Sequence, residues 1–290
     1  MLSNCTEHWA SVEGQRVRFW VAGKGEPLVL VHGLLGYSFS WRYVIPLLAE
    51  SREVLALDML GSGFSDCPPA FDCRLSGAAH RLGQFLDSVR VSACDLAGSS
   101  YGGATVLMLA AQQPHRARKL ILVSPANPWS HFGRRRLAML SNPLVRAIFP
   151  KLARPARPLH NYFLRRLYGD PIRITREGYE GYSNPLRRGG RFEHAIRIVQ
   201  SWQRDMHELK AWLPKASSLP TLVVWGSKDR AVDPASAGPL CRNFIDSRLE
   251  IIEGAGHLPY EECPKEFARI VLDFLRVAVP RGRPGGNLTT

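Results

Sequence analysis

The 290-residue chain predicts an α/β fold: a mostly parallel sheet flanked by helices, interrupted by a helical insertion. Short apolar runs alternate with stretches of helical length, the pattern of parallel strands wrapped by helices. The length suits one large domain, and 45% hydrophobic residues are enough for its core. Polar residues flanked by glycine follow several of the apolar runs, on the sheet edge where open α/β folds build their sites.

The first elements form a hairpin. Trp9 to Glu13 and Arg16 to Ala22 are strand-like, with a turn at Glu13-Gly14-Gln15. Pro27-Leu28-Val29-Leu30-Val31 is a buried strand that runs into His32-Gly33-Leu34-Leu35-Gly36. A helix is expected over Ser40–Glu50. The strand Val54–Leu57 then ends at Asp58, ahead of Gly61-Ser62-Gly63. A helix over Leu75–Val89 precedes the strand Asp95–Ala97, and a helix over Gly103–Gln113 precedes the strand Leu120–Val123. An insertion opens at Ser124-Pro125-Ala126-Asn127-Pro128 and closes near Pro214-Lys215. Beyond it stand Leu222–Trp225, a helix over Pro234–Phe244, Leu249–Ile252 and a helix over Pro264–Val277. Residues 1–126 and 216–279 therefore make the core, 127–215 the insertion, and 280–290 a tail whose Pro-Arg-Gly composition predicts disorder.

The chemistry concentrates at Gly98-Ser99-Ser100-Tyr101-Gly102, a G-x-S-x-G sequence. The apolar run Ala93–Ala97 precedes it and a good helix former follows. A strand turning sharply into a helix puts Ser100 on an exposed corner beside helix N-terminal N–H groups, with glycines where a side chain would clash. The plain alternative is that Ser100 merely caps the helix. Two further polar residues follow strands in the order such a site needs: Asp229 after Trp225-Gly226, and His257 within Glu253-Gly254-Ala255-Gly256-His257. A serine hydroxyl is a weak nucleophile that needs a base in reach, and a carboxylate fixes the tautomer of that base. Asp233 competes with Asp229, but Asp233-Pro234 has the form of a helix start.

With these motifs the chain resembles the α/β-hydrolase-fold serine hydrolases over roughly residues 8–278. The resemblance rests on His32–Gly36, Asp58–Asp66, the Ser100 turn, and the Asp229 and His257 turns. It implies an eight-stranded sheet, a helical cap at 127–215, a Ser100–His257–Asp229 triad, and an oxyanion hole from the backbone N–H groups of Leu34 and Tyr101. It assigns His32 to ordering the oxyanion loop, and Asp58 reads as ordering the glycine turn after it. Relatives with Asp at the elbow, the haloalkane dehalogenases and epoxide hydrolases, form alkyl esters on that carboxylate. Ser100 instead suits acyl transfer. The expected activity is a cofactor-free carboxylesterase acting on a small-molecule acyl substrate. A C–C bond hydrolase or lactonase, or a slow or non-hydrolytic small-molecule receptor, are the alternatives. Leu35, Trp129 and Leu258 are the expected pocket residues. The insertion also carries Phe132, Phe149, Tyr162, Phe163, Tyr168, Tyr179, Tyr182, Phe192 and Trp202, which are pocket candidates or plain core.

Charge sets the insertion apart. Residues 127–215 hold 18 Lys and Arg against 6 Asp and Glu, a net of +12 within a chain total of +13. Arg134-Arg135-Arg136, Arg165-Arg166 and Arg187-Arg188 are its densest points. A solvated basic surface, attraction to an anionic membrane through apolar neighbours such as 137–140 and 145–149, and steering of an anionic substrate are the competing readings. Nucleic acid is disfavoured, since no recognition signature accompanies the charge. The six cysteines show no C-x-x-C or metal spacing, so free thiols and no metal are expected. No signal peptide or membrane-length apolar run is visible, which makes the cytoplasm the expected location.

Overall fold

The computed structural model describes residues 5–130 and 157–276. Its strands are β1 (Cys5–Val12), β2 (Gln15–Ala22), β3 (Pro27–Val31), β4 (Glu53–Leu57), β5 (Cys94–Ser99), β6 (Ala117–Val123), β7 (Thr221–Gly226) and β8 (Ser247–Ile252). They join into one eight-stranded sheet in the order β1-β2-β4-β3-β5-β6-β7-β8. β3 to β8 run parallel, while β1 and β2 pair antiparallel. The β1–β2 turn consists of Glu13 and Gly14, both at positive φ (52° and 73°), the form that matches the twist of a two-residue hairpin.

The described helices are α1 (Ile45–Leu48), α2 (Leu75–Ser88), α3 (Tyr101–Gln112), α4 (Arg157–Leu167), α5 (Arg176–Leu186), α6 (Arg191–Trp212), α7 (Ala237–Cys241), α8 (Pro259–Glu262) and α9 (Pro264–Arg276). Side chains alternate across the strands, so the sheet feeds two cores. Val29, Val31, Leu120, Leu122, Val223 and Trp225 pack under α2 and α3. Their neighbours Leu28, Leu30, Ile121, Val123, Leu222 and Val224 pack under α1 and α9. Burial on both faces is why these strands are continuous apolar runs in sequence.

Two expected helices are broken, and proline explains both. In place of one helix over 40–50 there is a 3₁₀ turn (Ser38–Trp41) and then α1, which takes Pro46 into its first turn. In place of one over 234–244 there is a 3₁₀ turn (Pro234–Ser236) and then α7, with Pro239 as its third residue. Proline has no N–H and its ring collides with the carbonyl four residues back, so it fits best where a helix begins and disfavours a continuous helix through its position.

The insertion between β6 and β7 contributes α4, α5 and α6. It does not stand clear of the core. Ile198, Met206 and Leu209 of α6, with Leu213 just after it, belong to the same apolar cluster as Leu107 and Leu82. The Arg134–Arg136 run, Phe132, Phe149, the apolar stretches 137–140 and 145–149, and the 280–290 tail lie outside the described residues. Among the described residues no helix is long and apolar enough to cross a membrane.

The end of α9 is held by cations. Lys119 of β6 donates to Phe274 O and Leu275 O at 3.0 and 3.1 Å, and Arg52 donates to Leu275 O at 3.0 Å. These carbonyls lack partners within their own helix and carry its negative dipole end. Packing elsewhere is aromatic: Phe85 of α2 is 1% exposed and stands edge-on to Phe19 of β2 at 5.2 Å. Phe85→Ala should therefore lower unfolding stability by about 3–5 kcal/mol in urea titrations, the usual result of emptying an aromatic-sized core position.

Candidate active site

Ser100 connects β5 to α3 with φ 54° and ψ −118°. This left-handed half of conformational space is unfavourable for a serine and persists only where the surroundings impose it. Here Ser100 N donates to Val123 O at 2.9 Å, while Ser100 O accepts from Ala104 N at 3.2 Å and Ala126 N at 2.9 Å. Gly102 lies directly on the end of β3, and a Cβ there would overlap the Val31 and His32 carbonyl oxygens. The first helical residue is Tyr101, so its N–H has no partner within α3.

The loop after β3 folds against this corner. Gly36 N donates to Gly33 O at 3.0 Å, which turns the chain through Leu34 and Leu35. A Cβ on Gly33 would sit 3.0 Å from Ser100 Cβ, so loop and elbow touch. Neither the Leu34 N–H nor the Tyr101 N–H donates to a main-chain acceptor among the described residues. Leu35 has φ 60° and is 39% exposed at the rim. His32 braces the loop. Its Nε2 accepts from Met59 N at 3.0 Å, so Nδ1 carries the proton and donates to Gly33 O at 2.8 Å. Burial lowers the His32 pKa and keeps the ring neutral. Asp58 holds the next turn: Oδ1 accepts from Ser38 N at 2.8 Å and Oδ2 from Phe64 N at 2.9 Å.

On the far side of the elbow, His257 Nδ1 lies 2.8 Å from Asp229 Oδ2. The other oxygen, Oδ1, accepts from Ala231 N at 2.7 Å and Val232 N at 3.1 Å. Burial pushes the Asp229 carboxyl up, but the His257 ring and these hydrogen bonds outweigh it and hold the group below its ordinary value. With a carboxylate at Nδ1, the proton sits there and the Nε2 lone pair is left to accept. Asp233 does something else: it caps the turn at Pro234 by accepting from Ala235 N at 3.0 Å. Tyr260, three residues past His257, donates to Ser99 Oγ at 3.2 Å and ties this loop to the elbow. Leu258 is buried in the core between them. Among the described residues the Ser100 hydroxyl makes no hydrogen bond, so the Ser100–His257 contact is not closed in this conformation; such contacts are often long before substrate binds.

Residues of the insertion complete the surroundings. A cavity of about 20 Å³, room for about one water, is lined by His32, Leu34, Arg81, Tyr101 and His194 among others. The Tyr101 hydroxyl is buried there without a hydrogen-bond partner among the described residues, and the Trp202 ring of α6 stands 6.3 Å from the Tyr101 ring. Trp129 packs against the main core, and its main-chain N–H donates to Asn127 Oδ1 at 3.0 Å. A cavity of about 290 Å³ beside it is lined by Trp202, Met206, Pro128 and Val232. His194 of α6 lies on Gly61, where a Cβ would overlap its ring.

Sequence reasoning missed Arg42, Arg81, His194 and the two acids of α8, Glu261 and Glu262. Only the acids left a signal, as adjacent carboxylates just behind His257 in an otherwise apolar segment. Among the described residues no group of three or more His, Cys, Asp or Glu side chains could hold a metal ion.

The Ser100 corner, the loop laid against it and the Asp229–His257 pair all stand at the carboxyl edge of one mostly parallel sheet. The chain belongs to the alpha/beta hydrolase fold family, whose profile matches residues 26–264. It is 30% identical to the 2-hydroxymuconate semialdehyde hydrolase of Pseudomonas sp. (strain CF600), covering 91% of this chain and 92% of that one. It is 28% identical to the 2-hydroxy-6-oxo-6-phenylhexa-2,4-dienoate hydrolase of Comamonas testosteroni, covering 88% and 89%. Among solved structures it is similar to a serine hydrolase involved in carbazole degradation, the CarC enzyme, with TM-score 0.78, 25% identity, and 93% and 98% of the two chains covered.

His194 adds an acid-sensitive contribution to stability. Burial first, and then the nearby Arg197 and Arg81, push its pKa from 6.5 down to about 3. Between those values the unfolded chain binds a proton that the folded chain does not. The His194 contribution to stability is therefore fully present above pH 6.5 and falls as pH drops toward 3, by up to about 1.4 kcal/mol per pH unit. In urea titrations at pH 7 and pH 5, the stability of the wild type relative to His194→Gln should be lower at pH 5 than at pH 7.

Proposed function

We propose that the chain is a serine hydrolase that cleaves carboxylic esters through an acyl-enzyme. The buried Asp229–His257 pair at 2.8 Å carries this reading, because it leaves Nε2 as the accepting nitrogen of the imidazole. Ser100 Oγ attacks the substrate carbonyl while His257 Nε2 takes its proton. The oxyanion is received by the N–H groups of Leu34 and Tyr101, which have no main-chain acceptors of their own among the described residues. Collapse expels the alkoxide, which His257 protonates. Water, deprotonated by the same nitrogen, then releases the acid and restores Ser100. Asp229 keeps the imidazole in this tautomer and stabilises its cation.

A second reading is cleavage of an activated C–C bond by the same residues. It is favoured by the 30% identity to a 2-hydroxymuconate semialdehyde hydrolase. Comparing kcat/KM on a chain-length series of aryl esters with that on 2-hydroxymuconate semialdehyde separates the two. A clear preference for the semialdehyde would move the assignment to the second reading.

Ser100→Ala should abolish turnover and fluorophosphonate labelling while leaving the circular dichroism spectrum unchanged. Retention of more than about a tenth of wild-type turnover is incompatible with a serine nucleophile, whose loss costs many orders of magnitude. Asp229→Asn should reduce turnover about a thousandfold or more by holding the wrong histidine tautomer. Asp233→Asn should cost little, because Asn caps as well as Asp. The opposite ranking in folded protein would transfer the role to Asp233.

A further inference from the structure

Glu261 and Glu262 follow His257 by four and five residues, and both are buried. Among the described residues Glu262 has no ion-pair partner. Main-chain N–H groups alone hold its carboxylate. Oε1 accepts from Gly256 N at 2.7 Å and from Gly169 N at 3.0 Å. Oε2 accepts from Gly169 N at 3.1 Å and Asp170 N at 3.2 Å. Gly256 immediately precedes His257, whereas Gly169 and Asp170 form the exit from α4 in the insertion. One carboxylate therefore joins the loop of the base to the insertion.

The two backbones are also in direct contact. His257 N donates to Leu167 O at 2.7 Å. A Cβ on Gly256 would overlap Gly169 N, and one on Gly169 would overlap Gly254 O. Glu261 behaves differently. Its carboxylate takes Arg42 Nη2 at 2.9 Å and the hydroxyls of Tyr168, at 2.5 Å, and Tyr182. It fastens the insertion to the core without reaching the main chain of residues 254–257.

We propose that Glu262 is a positioning residue for His257: it fixes the loop that carries the imidazole and makes the α4 exit part of the same support. This rests on the triad reading above. The chemistry requires a carboxylate, because N–H groups converge on it from two sides and both oxygens must accept. A glutamine offers one accepting oxygen, and its amide NH₂ must face an N–H donor on the other side. The loop then shifts, and a displacement of about 1 Å at a catalytic group can cost on the order of a hundredfold in rate.

The test compares Glu262→Gln and Glu261→Gln in the full chain. The readouts are kcat and KM on a soluble aryl ester, the acid limb of the kcat/KM profile, fluorophosphonate labelling rate, and Tm. Glu262→Gln should lower kcat by on the order of 10–100-fold with KM little changed, slow labelling in proportion, and move the acid limb. Glu261→Gln should lower Tm and leave the limb where it is. A wild-type kcat and limb in Glu262→Gln, whatever its Tm, overturns the proposal; so does an equal limb shift in both variants, which would reduce the effect to general loosening. If Glu262→Gln does not fold, Glu262→Asp keeps the charge on a shorter stem and is read by the same limb and by the downfield NMR signal of the His257–Asp229 proton; wild-type values in both overturn it too. A wild-type protein that fluorophosphonate cannot label instead sinks the triad reading, and this inference with it.

Discussion

Main chain packed on main chain, with no side chain between, is the constraint on which this site depends. Gly102 rests on the carbonyls that end β3, and Gly256 rests on the exit from α4. At each place a single methyl group would force two backbones apart. The first contact seats the elbow under the Leu34 loop, and the second seats the His257 loop under the insertion. Local sequence decides where these turns occur. Their closeness holds the Leu34 loop against the Ser100 corner, and Ser100 keeps a φ that serine does not choose for itself.

Such closeness leaves many buried polar groups to satisfy, and the chain uses the main chain to do so. Asp58 takes N–H groups from Ser38 and Phe64, Asp229 from Ala231 and Val232, and Glu262 from three residues. Cations work in reverse: Lys119 caps the carbonyls that end α9, and Arg191 donates to Ser65 O and Gly63 O. A buried charge bound to several dipoles is held in position as well as compensated, because each hydrogen bond is directional. The positions that organise the site are therefore set by rigid backbone geometry more than by flexible side-chain pairs.

The strands and the site turns were legible because their signals are local. A buried parallel strand is a continuous apolar run, and glycine beside a polar residue marks a turn at the strand's end. Asp229 could be ranked above Asp233 because Pro234 exposes the capping role of its neighbour. The broken helices at 40–50 and 234–244 carried their breaks in plain view as Pro46 and Pro239. The contacts between Glu262 and Gly169, Arg42 and Glu261, and His194 and Gly61 were not legible. They join segments far apart in the chain, and no periodicity records which loop will lie against which.

That α6 shares the main core bears on how far this fold can be recombined. An insertion between two strands invites exchange with a relative's at its chain boundaries. Here such an exchange would take Met206 and Leu209 out of the cluster that they share with α2 and α3. α6 behaves as scaffold despite its position in the sequence, and α4 and α5 before it are fastened as well, through Leu164, Tyr168 and Tyr182 in the second core. An exchange at the chain boundaries would therefore disturb the core under α3 and the loop of His257 together.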